Sequence, residues 1–181
     1  STFCDIGANI GNHTLFVLKF LRAARAILFE PNPAAITVLR SNLVLNGVIA
    51  WFLLKDKPAL TAWGEHGYGA DLMITGFLLA SLIAVFVIKI HRAKLAKGEH
   101  EAVPPAALGT LACVATRSVW SNSLLFGLAG ALVGAGTVGM LMLLPLPPFS
   151  PLAYAVFKGV WAGILAALVV PPAIKLGLHA A

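Results

Sequence analysis

The chain has 181 residues, of which 59% are hydrophobic and only 11% charged, with a net charge of +6 and a mean hydropathy of +0.90. Soluble domains carry about 25% charged and about 45–50% apolar residues, so this composition excludes a water-soluble globule, a disordered tail and a disulfide scaffold. Two distant cysteines, Cys4 and Cys113, offer neither a disulfide framework nor a metal-ligand spacing, and no metal site is expected.

The first fifty residues read as an alternation of short elements. Thr2–Ile6 is a short apolar strand, followed by a Gly-rich turn from Gly7 to Gly11. Residues His13 to Arg25 carry Leu15, Leu18, Phe20 and Leu21 and predict a helix. Residues 26–30 predict a second buried-type strand, closed by Pro31 and Pro33, and residues 34–46 a second helix with Gly47 as its C-terminal stop. Glycines at 7 and 11 let the backbone turn sharply, and the helix N-terminus beyond them presents unpaired N–H groups to an anion. Glu30 stands 19 residues after Gly11, close to the ~20 expected of a carboxylate that meets a ribose.

The strings Asp5-Ile-Gly-Ala-Asn-Ile-Gly-Asn-His-Thr14, Phe29-Glu-Pro-Asn-Pro33, Leu39-Arg-Ser-Asn-Leu43 and Leu45-Asn-Gly47 resemble the N-terminal part of FkbM-type methyltransferases, over about residues 2–48. The resemblance implies a Rossmann-like fold, S-adenosylmethionine as cofactor and O-methylation of hydroxyls on sugars and natural products. It implies that Asp5, Gly7, Asn9 and Gly11 line the cofactor pocket and that Glu30 binds the ribose. The family's later strands and acceptor-binding half have no counterpart after Gly47. The segment therefore reads as a truncated cofactor-binding start, without an assignable catalytic residue.

Past that point the composition changes. Val48–Leu54 looks like the end of a membrane helix whose beginning is missing, so a junction between two unlike segments is expected near residues 45–48. Residues 34–54 themselves fail as a span on sequence, because a central arginine costs about 2.5–3.5 kcal/mol and Arg40, Asn42 and Asn46 fall within them. Three transmembrane helices are expected, near 71–90, 122–144 and 152–174, since each stretch is long and apolar enough for the ~20 residues a bilayer requires. The expected fold class is mixed: a truncated α/β Rossmann-like β-α-β-α start, a junction and loop over 49–70, and an all-α membrane segment over 71–181.

Residues 104–121, uncharged up to Arg117, read as a helix lying along the interface. The turn at Pro145, Pro147, Pro148 and Pro151 forces a reversal, so the last two helices are expected to pack as an antiparallel hairpin. Their small residues, Gly127, Ala131, Ala135 and Gly139 on one, with Gly130 and Gly134 beside them, and Ala155, Gly159, Gly163 and Ala167 on the other, form faces suited to bundle packing or self-association. Lys158, about two turns into the last helix, is expected to snorkel outward, and Pro171-Pro172 to kink or stop that helix.

Six basic residues (Lys89, Arg92, Lys94, Lys97, Arg117 and Lys175) flank one side of these spans and two (Lys55 and Lys57) the other. This places loop 91–121 and the C-terminus in the cytoplasm. A cytosolic N-terminal segment then requires one further crossing between 34 and 54. No basic stripe interleaved with aromatics supports a nucleic-acid partner; the partner is the lipid bilayer. Three readings remain: a methyltransferase fragment fused to a membrane protein, a small bacterial-type inner-membrane protein of transport or structural role with a chimeric N-terminus, or a subunit whose missing methyltransferase half comes from another chain.

Overall fold

The computed structural model describes residues 2–6, 25–29, 33–64, 67–113, 115–145 and 147–179. Strands β1 (Thr2–Ile6) and β2 (Arg25–Phe29) pair in parallel, with Thr2 opposite Arg25 and Ile6 opposite Phe29. Four helices follow: α1 (Pro33–Leu54), α2 (Tyr68–Ala96), α3 (Val119–Leu143) and α4 (Pro151–Leu178). All four are long and apolar enough to cross a membrane. At ~1.5 Å per residue, α4 with its 28 residues is about 42 Å long, against a hydrocarbon core of about 30 Å.

These helices are apolar on faces that no other described part of the chain covers. On α2, Leu72, Ala80, Ala84 and Ile88 are fully buried, while Ile74, Leu78, Leu82, Phe86 and Ile90 are each more than half exposed. A two-residue offset rotates a side chain by about 200° on a helix, so one face serves the bundle and the other meets acyl chains. The starts of α3 and α4 are set by side chains. Ser118 Oγ accepts from Ser121 N–H at 3.2 Å, and Ser150 Oγ from Ala153 N–H at 3.3 Å with Pro151 at the first helical position.

The bundle order is α1, α4, α2, α3: α4 lies between α1 and α2, and α2 between α4 and α3. The close approaches are made at glycine. A methyl group on Gly76 would stand 2.3 Å from the carbonyl oxygen of Gly130, and one on Gly159 would stand 2.6 Å from that of Leu43. Helix association in lipid has little hydrophobic drive and relies on such packing.

Several expectations are corrected here. The mixed class with a Rossmann-like β-α-β-α start is replaced by a predominantly helical architecture with four membrane-length helices. The only sheet among the described residues has two strands, too few to cover both faces of a parallel sheet. The helix expected over 34–46 is the first half of α1, which runs unbroken through residues 45–48 to Leu54. Gly47 is a crossing point rather than a stop: a methyl there would sit 3.4 Å from the Ala155 carbonyl oxygen and 3.6 Å from Gly159 Cα.

The polar residues that argued against this span are satisfied or placed at its end. Asn42 Nδ2 donates to the Val38 carbonyl at 2.8 Å, and Asn46 Nδ2 to the Asn42 carbonyl at 3.1 Å. Arg40 is exposed, near the start of the apolar window Ile36–Leu54. An arginine close to a helix end reaches the interface at low cost.

The expected α3–α4 hairpin also gives way. Both helices lean on α2, so they touch through side chains such as Trp161, whose Nε1 donates to Thr137 Oγ1 at 3.0 Å. Helix α4 continues through Pro171 and Pro172 to Leu178, its last turns held by buried Ala173 and Leu176 and by a bridge between Val103 and His179. In place of an interfacial helix, a 3-10 segment runs from Pro105 to Cys113, broken at Gly109, where φ is 56°.

Candidate functional site

Helix α2 begins beside two connecting segments that cap one end of the bundle. Leu60 and Phe149 exchange backbone hydrogen bonds of 2.8 and 3.0 Å, fastening the α1–α2 connection to the proline-rich α3–α4 turn. Tyr68 and Gly69 N–H donate to the carbonyls of Thr61 and Ala62 at 3.0 and 2.9 Å. Beneath this cap lies an aromatic layer. Tyr68 meets Phe149 edge-on at 5.5 Å between centroids, Phe149 stacks on Phe157 at 5.6 Å, and Tyr154 lies 5.9 Å from Tyr68.

Below the aromatics, α2 and α4 are joined by an ion pair. Lys158 Nζ stands 2.7 Å from both carboxylate oxygens of Asp71, and the Tyr154 hydroxyl donates to the same carboxylate. The Lys158 side chain is only 7% exposed, whereas that of Asp71 is 41% exposed. Asp71 sits in the first turn of α2, where the helix dipole favours a negative charge. Lys158 is seven residues beyond Pro151, about 10 Å along α4. With α4 centred in the bilayer, that puts its Cα about 5 Å below the hydrocarbon boundary. The expectation that Lys158 snorkels into water is therefore corrected. Its ammonium turns inward, because a carboxylate on the neighbouring helix is held within reach.

Chemically this is a charge-neutral cluster whose lysine is enclosed and whose carboxylate is partly exposed. A carboxylate accepts about four hydrogen bonds, and Asp71 takes its bonds from a lysine and a tyrosine inside the bundle. Among the described residues, no group of three His, Cys, Asp or Glu comes together to hold a metal ion.

A second polar node lies at the opposite, basic end. Asn122, 1% exposed, accepts from Thr116 N–H at 2.9 Å and donates to the Thr116 carbonyl at 2.8 Å, fixing the chain ahead of α3. Ser123 Oγ donates to the Ser81 carbonyl at 2.7 Å, joining α3 to α2. Lys89 Nζ lies 4.9 Å over the exposed ring of Trp120, an interfacial cation–π contact.

The small-residue faces are used within the chain. Gly127, Gly130 and Gly134 of α3 pack on α2, whereas Gly139 has open space around it. The expected row through Ala131, Ala135 and Gly139 is thus rotated by one position. On α4, Gly159 and Gly163 receive the backbone of α1 at Leu43 and Leu39.

Of the residues expected to bind S-adenosylmethionine, Gly7, Asn9, Gly11 and Glu30 lie outside the described residues, and Asp5 stands in β1 with its Cα opposite Leu28. The Asp71–Lys158–Tyr154 cluster was missed because its members, unremarkable in sequence, are brought together over a separation of 87 residues. No protein-family model, curated protein or solved structure matches the chain. The FkbM-type resemblance is corrected accordingly: no family model supports it, and the expected second helix of its α/β unit belongs to a membrane-length helix packed on α4.

Proposed function

We propose that the chain is a four-span integral membrane protein with a structural role, a helical subunit rather than an enzyme. The observation that carries this reading is the Asp71–Lys158 pair, which joins α2 to α4 and neutralises the enclosed lysine. Four spans also remove the topological conflict, since they return residues before Pro33 and after Leu178 to one side. Arg25 and Arg40 then join Lys89, Arg92, Lys94, Lys97, Arg117 and Lys175 at the cytoplasmic face, against Lys55 and Lys57 outside.

Sidedness mapping tests it. In a chain with Cys4 and Cys113 replaced by serine, a membrane-impermeant maleimide labels Lys57→Cys in intact cells and Lys97→Cys only after permeabilisation. Labelling of both from the same side, or release of the chain by alkaline carbonate, refutes the assignment.

One observation favours a second reading, ion-coupled transport: Asp71 keeps 41% exposure while its lysine partner is buried. In proteoliposomes, a proton flux lost in Asp71→Asn while the variant stays folded supports transport. Equal, background flux in wild type and variant supports the structural role.

A further inference from the structure

The geometry points to a binding site for an anionic phospholipid at the basic end of the bundle. The site rests on membrane embedding but not on which side faces the cytoplasm. Because α3 and α4 both lean on α2, a crevice remains between them, bridged at the basic end by the 3-10 segment. Two adjoining cavities occupy this region.

The first, of about 370 Å³, is walled by Arg92, Arg117 and His179 and carries no carboxylate among its lining residues. At about 30 Å³ per water, it has room for a headgroup rather than for one ion. Arg92 is held in place by donating from Nη1 to the Arg117 carbonyl at 2.8 Å, which leaves most of its five donors free. A planar guanidinium matches phosphate oxygens in pairs.

The second cavity, of about 150 Å³, shares the walls Ala115 and Leu176 with the first and continues along Leu125, Phe126 and Ala129 of α3. Leu125 is 40% exposed, so this groove opens to the lipid phase. A cationic chamber at the interface that leads into an apolar groove matches a phosphate headgroup joined to an acyl chain. Basic pockets beside membrane helices hold anionic headgroups in this way. Free phosphate would use only the first cavity, and a zwitterionic lipid would place a cation among the arginines. The bilayer supplies the occupant at high local concentration.

Native mass spectrometry of the full chain, released from detergent with phosphatidylglycerol or phosphatidylcholine added, tests the site. Wild type retains phosphatidylglycerol preferentially. Arg117→Gln, an exposed position whose backbone bond to Arg92 survives the change, lowers that retention about tenfold, as expected for one charged hydrogen-bonding group. Ala129→Trp fills the groove and lowers retention with every charge intact, while Lys175→Gln, outside the cavity, leaves it unchanged. Equal retention of the two lipids, no effect of Arg117→Gln, or displacement of phosphatidylglycerol by inorganic phosphate overturns the proposal. Carbonate extraction reports separately on embedding.

Discussion

Asp71→Asn and Lys158→Met do not have equal effects, and the inequality follows from the geometry of the pair. Removing one partner of a buried ion pair costs about 3–5 kcal/mol, whereas an exposed pair is worth about 0.2–1 kcal/mol. Asp71→Asn keeps the side-chain shape and a partner for Tyr154, but it leaves the Lys158 ammonium, on a side chain only 7% exposed, without an anion. With the Lys158 Cα about 5 Å below the hydrocarbon boundary, that ammonium recovers part of its hydration by reaching outward, so the expected cost is about 2–3 kcal/mol. Lys158→Met instead leaves Asp71, whose side chain is 41% exposed and sits in the first turn of α2, with water and Tyr154 as partners. Its cost is about 1 kcal/mol. The double variant carries neither orphan charge and lies near wild type, so the coupling is the sum of the two single losses, about 3–4 kcal/mol. Reversible unfolding in mixed micelles, followed by tryptophan fluorescence, reads all four proteins. Coupling below about 0.5 kcal/mol, the scatter of independent sites, or a greater loss in Lys158→Met than in Asp71→Asn refutes the reasoning.

The glycines give two sharper contrasts. Gly76→Ala sets a methyl 2.3 Å from the Gly130 carbonyl oxygen, a backbone atom that cannot step aside, and costs about 1–3 kcal/mol or more by overpacking; Gly136→Ala, with nothing within 4 Å, gains about 0.5–1 kcal/mol of helix stability, both read in the same unfolding assay. In a chain lacking Cys4 and Cys113, Gly47→Cys with Ala155→Cys cross-links within one chain under mild oxidation, since a side chain on Gly47 meets α4 at Ala155 in ordinary contact. Only intermolecular products on a denaturing gel, or none, would contradict the α1–α4 contact.

Much of the membrane body is legible from apolar run length alone. The runs expected near 71–90, 122–144 and 152–174 are occupied by α2, α3 and α4, at Tyr68–Ala96, Val119–Leu143 and Pro151–Leu178. Run length fails at α1, where a count of polar residues cannot see that Asn42 and Asn46 bond to carbonyls one turn back in their own helix. Small-residue spacing picks out the right face of α4 but is off by one position on α3, because adjacent rows of Gly and Ala look alike until a partner is chosen. The ion-pair cluster is hidden for a different reason. Asp71 reads as a helix-start residue and Lys158 as a snorkelling one, and only the placement of α4 against α2 makes them partners.

The order α1, α4, α2, α3 sets a timetable for biosynthesis. Of these four helices α1 is made first and finds its main neighbour only when α4 has been made, because α1 packs chiefly on α4. Until then α1 persists in lipid without that partner, which a helix can do if every amide is satisfied within its own length. The self-bonded Asn42 and Asn46 meet that condition. Lys158 arrives late as well, after Asp71 has waited in the first turn of α2. A nascent chain stopped before residue 151 thus leaves both the apolar face of α1 that meets α4 and the Asp71 carboxylate without their partners.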